Sequence, residues 1–307
     1  MKIDTELLTR FEAGLDPQQI ERSRVPATLL GYGEISAIFK IEGDERTAYK
    51  RMPLFSDRSS AETYVSVYRH YCRLLRDAGL NLPEHDTAVV PVPGRPVVVY
   101  IAQEWLPAER FAHKLVHNLE RDACYALMEQ VARAVDGVWR FNAASTPEVE
   151  LALDGQISNW VRTGGEKEAG LTYIDTSTPL FRLGGIEQMD PEPLLKSAPL
   201  FLRWILRWLF LDDVMNRYYD LRMVFIDIAA NLYKEQCPDL IPGTIDVFNG
   251  YLDVEQKPLT EKAIEKYYRE DRMIWMLFSA FRRVDRWLTT KLMRKRYEFI
   301  LPGKIVR

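Results

Sequence analysis

Residues 28–52, TLLGYGEISAIFKIEGDERTAYKRM, decide how the fold reads. TLLGYG, ISAIFKIEG and RTAYKRM are short β-branched or aromatic runs separated by Gly31, Gly33 and Gly43-Asp44, the pattern of three consecutive antiparallel strands. Immediately downstream the period changes. Ser59 to Gly79 places Ala61, Tyr64, Tyr68, Tyr71 and Leu75 at helical spacing, between a serine cap and a terminal glycine, and predicts a helix. Thr87–Val92 and Pro96–Ala102 predict two further strands joined by Pro93-Gly94-Arg95, and the sheet pattern stops at Gln103-Glu104-Trp105-Leu106-Pro107. Upstream, residues 1–25 predict a short helical extension in which Asp16-Pro17 starts a helix.

Past Pro107 the texture is helical. Asp122–Ala144 carries a stripe of Met128, Val131, Val135, Val138 and Trp139 and predicts one long helix. Val149–Leu153 and Leu171–Ile174 are β-type runs around DGQISNW and Gly164-Gly165, and they predict an inserted hairpin before helices resume at Pro193. The expected architecture is α+β: an N-terminal extension over 1–25, a sheet-rich part over 26–106 and a mostly helical part over 107–307.

Composition narrows the class. The 307 residues are 47% hydrophobic, 28% charged and 11% aromatic, which excludes disordered, collagen-like and disulfide-scaffold chains. With 41 basic against 44 acidic residues, the net charge of −3 argues against nucleic acid as a whole-chain partner. Cys72, Cys124 and Cys237 are odd in number and share no metal-binding spacing, which fits a reducing compartment. The N-terminus lacks the apolar run of a secretory signal, and Ala198–Phe210 is interrupted by Arg203 and Arg207. The expectation is a cytoplasmic protein with no transmembrane segment; its oligomeric state has no signal in the sequence.

Three segments carry chemistry. Gly31-Tyr32-Gly33-Glu34-Ile35-Ser36 lies at a strand-to-strand turn, where glycines allow backbone N–H groups to approach a phosphate and serve equally as a hairpin turn. Lys50 sits among apolar neighbours on a strand, where a cation is either solvated or turned toward an anion. Asp154-Gly-Gln-Ile-Ser-Asn159 and the later Asp175 place two carboxylates and an amide at the ends of β-type runs, suited to holding Mg²⁺ and orienting a hydroxyl, though also to ordinary turns.

Their serial order (glycine loop, strand lysine, helix glutamate, apolar strand into a hinge, D-x-x-x-x-N, strand ending in Asp) resembles the protein-kinase-like superfamily over about residues 26–180. In size and texture it is similar to the aminoglycoside phosphotransferase and choline kinase families. The resemblance implies a two-lobed fold and an ATP- and Mg²⁺-dependent transfer of phosphate to a small-molecule hydroxyl. It implies that Gly31, Tyr32, Gly33 and Ser36 cover the ATP phosphates, that Lys50 contacts them and pairs with Glu62, and that Gln103, Glu104 and Trp105 form the adenine hinge. Asp154 would be the catalytic base, with Asn159 and Asp175 as metal ligands. Two departures, Ala152 in place of the usual histidine and Thr176-Ser177 after Asp175, keep open a catalytically degenerate kinase-like protein that binds nucleotide or a protein partner.

Other signals are weaker. His113 and His117 share a helix face without a third ligand in sequence. Trp204 and Trp208 with Arg203 and Arg207 suit a buried helix better than a membrane or partner helix. Asp213, Asp220 and Asp227 recur at sevens, as in an acidic wall for a cationic substrate or a solvated face. Residues 282–307 hold nine basic and two acidic residues, expected as a packed helix with a solvated basic side.

Overall fold

The computed structural model describes residues 1–33, 36–145, 147–164, 170–192 and 215–301. Helix α1 (Thr5–Gly14) starts at Asp4, whose carboxylate accepts from the Glu6 and Leu7 amides. Strands β1 (Ala27–Tyr32), β2 (Ala37–Ile41) and β3 (Asp44–Phe55) form the expected meander. Helix α2 (Arg58–Asp77) follows, capped by Asp57, then β4 (His85–Val90) and β5 (Val97–Glu104). The five strands pair antiparallel in the order β1-β2-β3-β5-β4, so Lys50 lies on the central strand.

Alternation divides the sheet into two buried faces. On one, Met52, Val99 and Ile101 pack with Ala61, Val65, Tyr68 and Cys72 of α2. On the other, Phe39, Tyr49 and Tyr100 pack with Leu7, Leu8 and Phe11 of α1 and with Ile300. The register aligns Gly31, Ile38, Lys50, Ile101 and Thr87 in one row, which puts Lys50 on the α2 face.

Arg51 takes the opposite face, where it is sealed from solvent. Its guanidinium donates to Glu12 at 2.7 and 2.8 Å, to the Glu298 carboxylate at 2.9 Å and to the Glu298 carbonyl at 2.7 Å. Arg95 also bonds both Glu12 and Glu298, and Tyr100 donates to Glu12 at 2.5 Å. Burial alone would raise Glu12; the Arg51 hydrogen bond and charge, with Tyr100 and Arg95, hold it below the usual carboxylate range.

In the helical part, α3 (Ala112–Leu115) and α4 (Arg121–Ser145) precede β6 (Val149–Leu151), β7 (Trp160–Thr163), β8 (Gly170–Tyr173), β9 (Phe181–Leu183) and β10 (Ile186–Glu187). The expected hairpin between Val149–Leu153 and Leu171–Ile174 is not what forms. β8 pairs with β7, while β6 pairs with β9. The cause is the tail of DGQISNW: Trp160 is buried and leads a strand of its own, capturing Leu171–Tyr173. Helices α5 (Leu221–Lys234), α6 (Ile241–Asn249) and α7 (Glu261–Trp287) complete the described elements. The main core joins Val131, Val135 and Val138 of α4 to Phe225, Ile228 and Leu232 of α5 and to Phe248.

The basic tail is helical only to Trp287 and one π turn beyond it. Tyr297, Glu298 and Ile300 then run irregularly and are buried, the last two against the sheet, in place of the expected packed helix. The Phe201–Phe210 stretch and Asp213 lie outside the described residues. Among the described residues no helix is long and apolar enough to cross a membrane.

Candidate active site

Lys50 meets Asp175. Its Nζ donates to Asp175 Oδ1 at 2.8 Å and to Ser177 Oγ at 2.9 Å, and Ser177 Oγ donates to the same Asp175 oxygen at 2.9 Å. A cation of the sheet is thereby joined to the loop leaving β8 in the helical part. The Asp175 side chain keeps 26% of its exposure, so it is recessed rather than sealed. Burial pushes its carboxyl up, and Lys50 outweighs that to hold it below the usual range.

Three tyrosines on one face of α2 fix the surroundings, two of them on this loop and one on the backbone before Asp154. Tyr64 donates to the Ser177 carbonyl at 2.7 Å, Tyr68 accepts from Thr176 Oγ1 at 3.2 Å, and Tyr71 donates to the Ala152 carbonyl at 2.8 Å. Helical spacing gives these positions one face, and the phenol is an apolar body with a polar tip. In sequence they read as a core stripe; the signal available was that its central members all carry hydroxyls.

Glu62 is not part of this arrangement. It is exposed and pairs with Arg58 at 2.7 Å, so the expected Lys50–Glu62 pair is replaced by Lys50–Asp175. Glu62 and Tyr64 are two residues apart, about 200° around the helix, so a helix that turns Tyr64 inward turns Glu62 to solvent.

Asp154 follows β6 and closes an Asx turn, its Oδ1 accepting from the Gln156 amide at 3.0 Å. Asn159 donates from Nδ2 to the Asp154 carbonyl at 3.0 Å, and its own carbonyl accepts from the Ile174 amide at 2.9 Å. That last bond brings Asn159 beside Asp175. The loop rests on α5: a Cβ at Gly155 would stand 2.7 Å from Val224 Cγ1 and 2.9 Å from Ile228 Cδ1, so only glycine fits. Asn231 Oδ1 accepts from the Ile157 amide at 3.0 Å. Burial, then the charges of Asp227 and Asp175, push the Asp154 carboxyl well above the usual range.

The hinge residues are partly committed elsewhere. Gln103 Nε2 donates to the Ile174 carbonyl at 2.9 Å and to Thr176 Oγ1 at 3.3 Å, bracing the Asp175 loop. The Glu104 and Trp105 amides donate to the Glu84 and Arg46 carbonyls, both at 2.8 Å. At the glycine turn, Gly31 and exposed Tyr32 end β1, and the Gly33 amide donates to the Ser36 carbonyl at 2.9 Å, with Ser36 buried. That bond closes a hairpin, one of the two roles the sequence allowed.

The DUF6206 family, described as a family of unknown function, matches residues 18–286. The chain belongs to DUF6206. No curated protein matches it. A solved structure, WaaP in complex with acyl carrier protein, aligns at TM-score 0.33 and 16% identity, over 75% of this chain and 90% of that chain. The likeness is distant.

In this DUF6206 chain, Asp175 and Asn159 offer a carboxylate and an amide, hard oxygens of the kind Mg²⁺ takes when it arrives with substrate phosphates. With Nδ2 of Asn159 and Oδ1 of Asp175 engaged, the Asn159 Oδ1 and the Asp175 Oδ2 remain as donors. The set fits a metal shared with a nucleotide, not a cage of its own; no cluster of three acidic, cysteine or histidine ligands exists among the described residues. His117 finds Cys237 Sγ at 3.6 Å and Glu235 at 3.5 Å, through different ring nitrogens. Asp220 caps α5 by accepting from the Met223 amide, and Asp227 is buried, so neither forms an acidic wall.

Proposed function

We propose that this protein is an ATP- and Mg²⁺-dependent phosphotransferase acting on a hydroxyl group of a small molecule. On this reading residues 26–106 are a nucleotide-binding lobe of a kinase-like fold, and residues 107–307 are its helical lobe. The observation that carries it is the 2.8 Å pair between Lys50 of the central strand and Asp175 of the loop that leaves β8, with Asn159 and Asp154 on the adjoining loop.

The chemistry follows from those groups. With a metal at Asp175, Lys50 would be free to bind the phosphates, and Gly31, Tyr32, Gly33 and Ser36 would cover them. Mg²⁺ held by Asp175 and Asn159 would neutralise phosphate charge as the γ-phosphoryl group moves. Asp154 accepts the acceptor's hydroxyl proton, and a carboxyl that burial pushes well above the usual range is a stronger base than an ordinary one. Gln103, Tyr64 and Tyr68 keep the Asp175 loop in place and Tyr71 holds the backbone before Asp154; positioning of this kind is where most of the rate comes from in such transfers.

The test is a thermal shift with ATP, with and without Mg²⁺, followed by phosphate transfer to a panel of hydroxyl compounds. The expected result is a Mg²⁺-dependent shift lost in Lys50→Ala and Asp175→Asn, and turnover about 10²–10⁴-fold lower in Asp154→Asn. No shift with any nucleotide would sink the reading. A second reading, nucleotide binding without turnover, is favoured by the Asp154 environment, where burial and then the charges of Asp227 and Asp175 disfavour the ionised carboxylate. Binding with no product across the panel would select it.

A further inference from the structure

Among the described residues, seven of the thirteen exposed large hydrophobic side chains fall between Met273 and Met293. On α7 these are Met273, Met276, Leu277, Val284 and Trp287, of which Trp287 is 58% exposed; Leu292, 69% exposed, and Met293 follow. At 3.6 residues per turn the five helical positions share an arc of about 100°, continuous over roughly 21 Å of helix. The helix is already anchored by other residues: Ile264 is buried in the core, Tyr268 stacks on Tyr233, and Asp271 pairs with Lys234 at 3.1 Å. The stripe is therefore surplus to the fold, and an uncovered apolar stripe of this length marks an interaction surface.

Charge says what the surface meets. No acidic residue occurs between Asp285 and Glu298, while Arg286, Lys291, Arg294, Lys295 and Arg296 do. Lys291, Arg294 and Lys295 are exposed just beyond Trp287. The N-terminal half of the same helix is neutralised within itself, by Arg269 with Glu265 and Lys266 with Glu270. Apolar contact and uncompensated positive charge thus coincide at one end of α7, with an amphipathic indole at their boundary. We propose that the C-terminal half of α7 lies flat on an anionic phospholipid surface, Met273 to Trp287 entering the interface and Lys291, Arg294 and Lys295 meeting headgroup phosphates. α7 rests on the surface without crossing it, consistent with its length and charge. This docking is independent of phosphoryl transfer.

Co-sedimentation of the full chain with vesicles tests it, comparing phosphatidylcholine alone with phosphatidylcholine containing roughly a third phosphatidylglycerol. The full chain is expected to bind the mixed vesicles, to bind the neutral ones at least about ten-fold more weakly, and to lose affinity as salt rises. Leu277→Ser with Trp287→Ser should weaken binding about ten-fold or more with far-UV circular dichroism unchanged. Lys291→Glu with Lys295→Glu, which leaves the stripe intact, should remove the preference for anionic vesicles. Absence of vesicle binding, or binding indifferent to both pairs of changes, overturns the proposal. So does a concentration-dependent dimer, seen by sedimentation velocity, that the Ser pair dissolves while vesicle binding is unaffected.

Discussion

Lys50 and Arg51 are neighbours on β3 and look in opposite directions across the sheet, Lys50 to Asp175 at 2.8 Å and Arg51 to Glu12 at 2.7 Å. The first pair is partly open to solvent; the second is closed on every side, with Arg51 and Glu12 each at most 1% exposed. One strand therefore holds a cation partly open to solvent and another sealed from it.

Removing each should have opposite consequences. Arg51→Ala leaves the buried Glu12 with Arg95 as its remaining cation and Glu298 with Arg95 and Arg296, and is expected to cost about 3–5 kcal/mol of stability. Lys50→Ala is expected to cost on the order of 1 kcal/mol or less while abolishing the nucleotide-induced thermal shift. Urea denaturation and nucleotide titration of the two variants check the contrast; a Lys50→Ala protein as unstable as Arg51→Ala would contradict it.

Glu62→Ala should be silent. The Glu62–Arg58 pair is exposed and four residues apart, and such a pair contributes about 0.3–0.5 kcal/mol at most. Nucleotide affinity within about two-fold of the parent is the expected result, because Lys50 is oriented by Asp175 and Ser177. A marked loss of affinity would restore the Lys50–Glu62 pairing that the sequence resemblance implied.

Tyr64→Phe deletes one hydroxyl and little else. The Ser177 carbonyl loses its 2.7 Å donor, a change worth about 0.5–1.5 kcal/mol. Because Ser177 bonds both Lys50 and Asp175, the same variant should bind Mg²⁺-nucleotide more weakly, whereas Tyr233→Phe on α5 should not. Calorimetric titration of the two distinguishes a specific brace from general softening.

Asp227 supplies a pH signature. Burial lifts its carboxyl to about 6, partly offset by Lys234 and reinforced by Asp271, against an ordinary 3.8. A folded-state pKa above the unfolded one contributes stability that is full below about pH 4 and lost as the pH rises through about 6. Asp227→Asn escapes that loss, so it should be more stable than the parent at about pH 7.5, on the order of 1–3 kcal/mol, and equal to it near pH 4. Denaturation midpoints at the two pH values measure this; a variant destabilised equally at both would contradict the sign.

The meander, α2 and the long α4 were legible because each is set by local periodicity and turn residues that the chain displays within twenty or so positions. Lys50, Asp154, Asn159 and Asp175 were legible as residue types in order. Their partners were not. Whether Lys50 meets Glu62 or Asp175 depends on which face of α2 turns inward, and that is decided by the fit of Tyr64, Tyr68 and Tyr71 against loops about a hundred residues away. The strand exchange around β8 has a similar origin, since burial of Trp160 overrides the simpler hairpin. Asn142 and Asn231, which hold the Leu151 backbone and the Ile157 amide, look in sequence like any amides within helices.

The Arg51 cluster also imposes a schedule on synthesis. Glu12 is 39 residues from Arg51, but Glu298 lies 247 residues further on. At ribosomal speeds of about 5–20 residues per second, roughly 10–50 s separate the emergence of Arg51 from that of its second carboxylate. From the emergence of Arg95 onward, two arginines share one glutamate on a sheet face still lacking Ile300. The nascent sheet is thus cationic and partly bare behind the strand that bears Lys50, and that face is closed only when Glu298 and Ile300 fold back over Arg51 and the α1 residues.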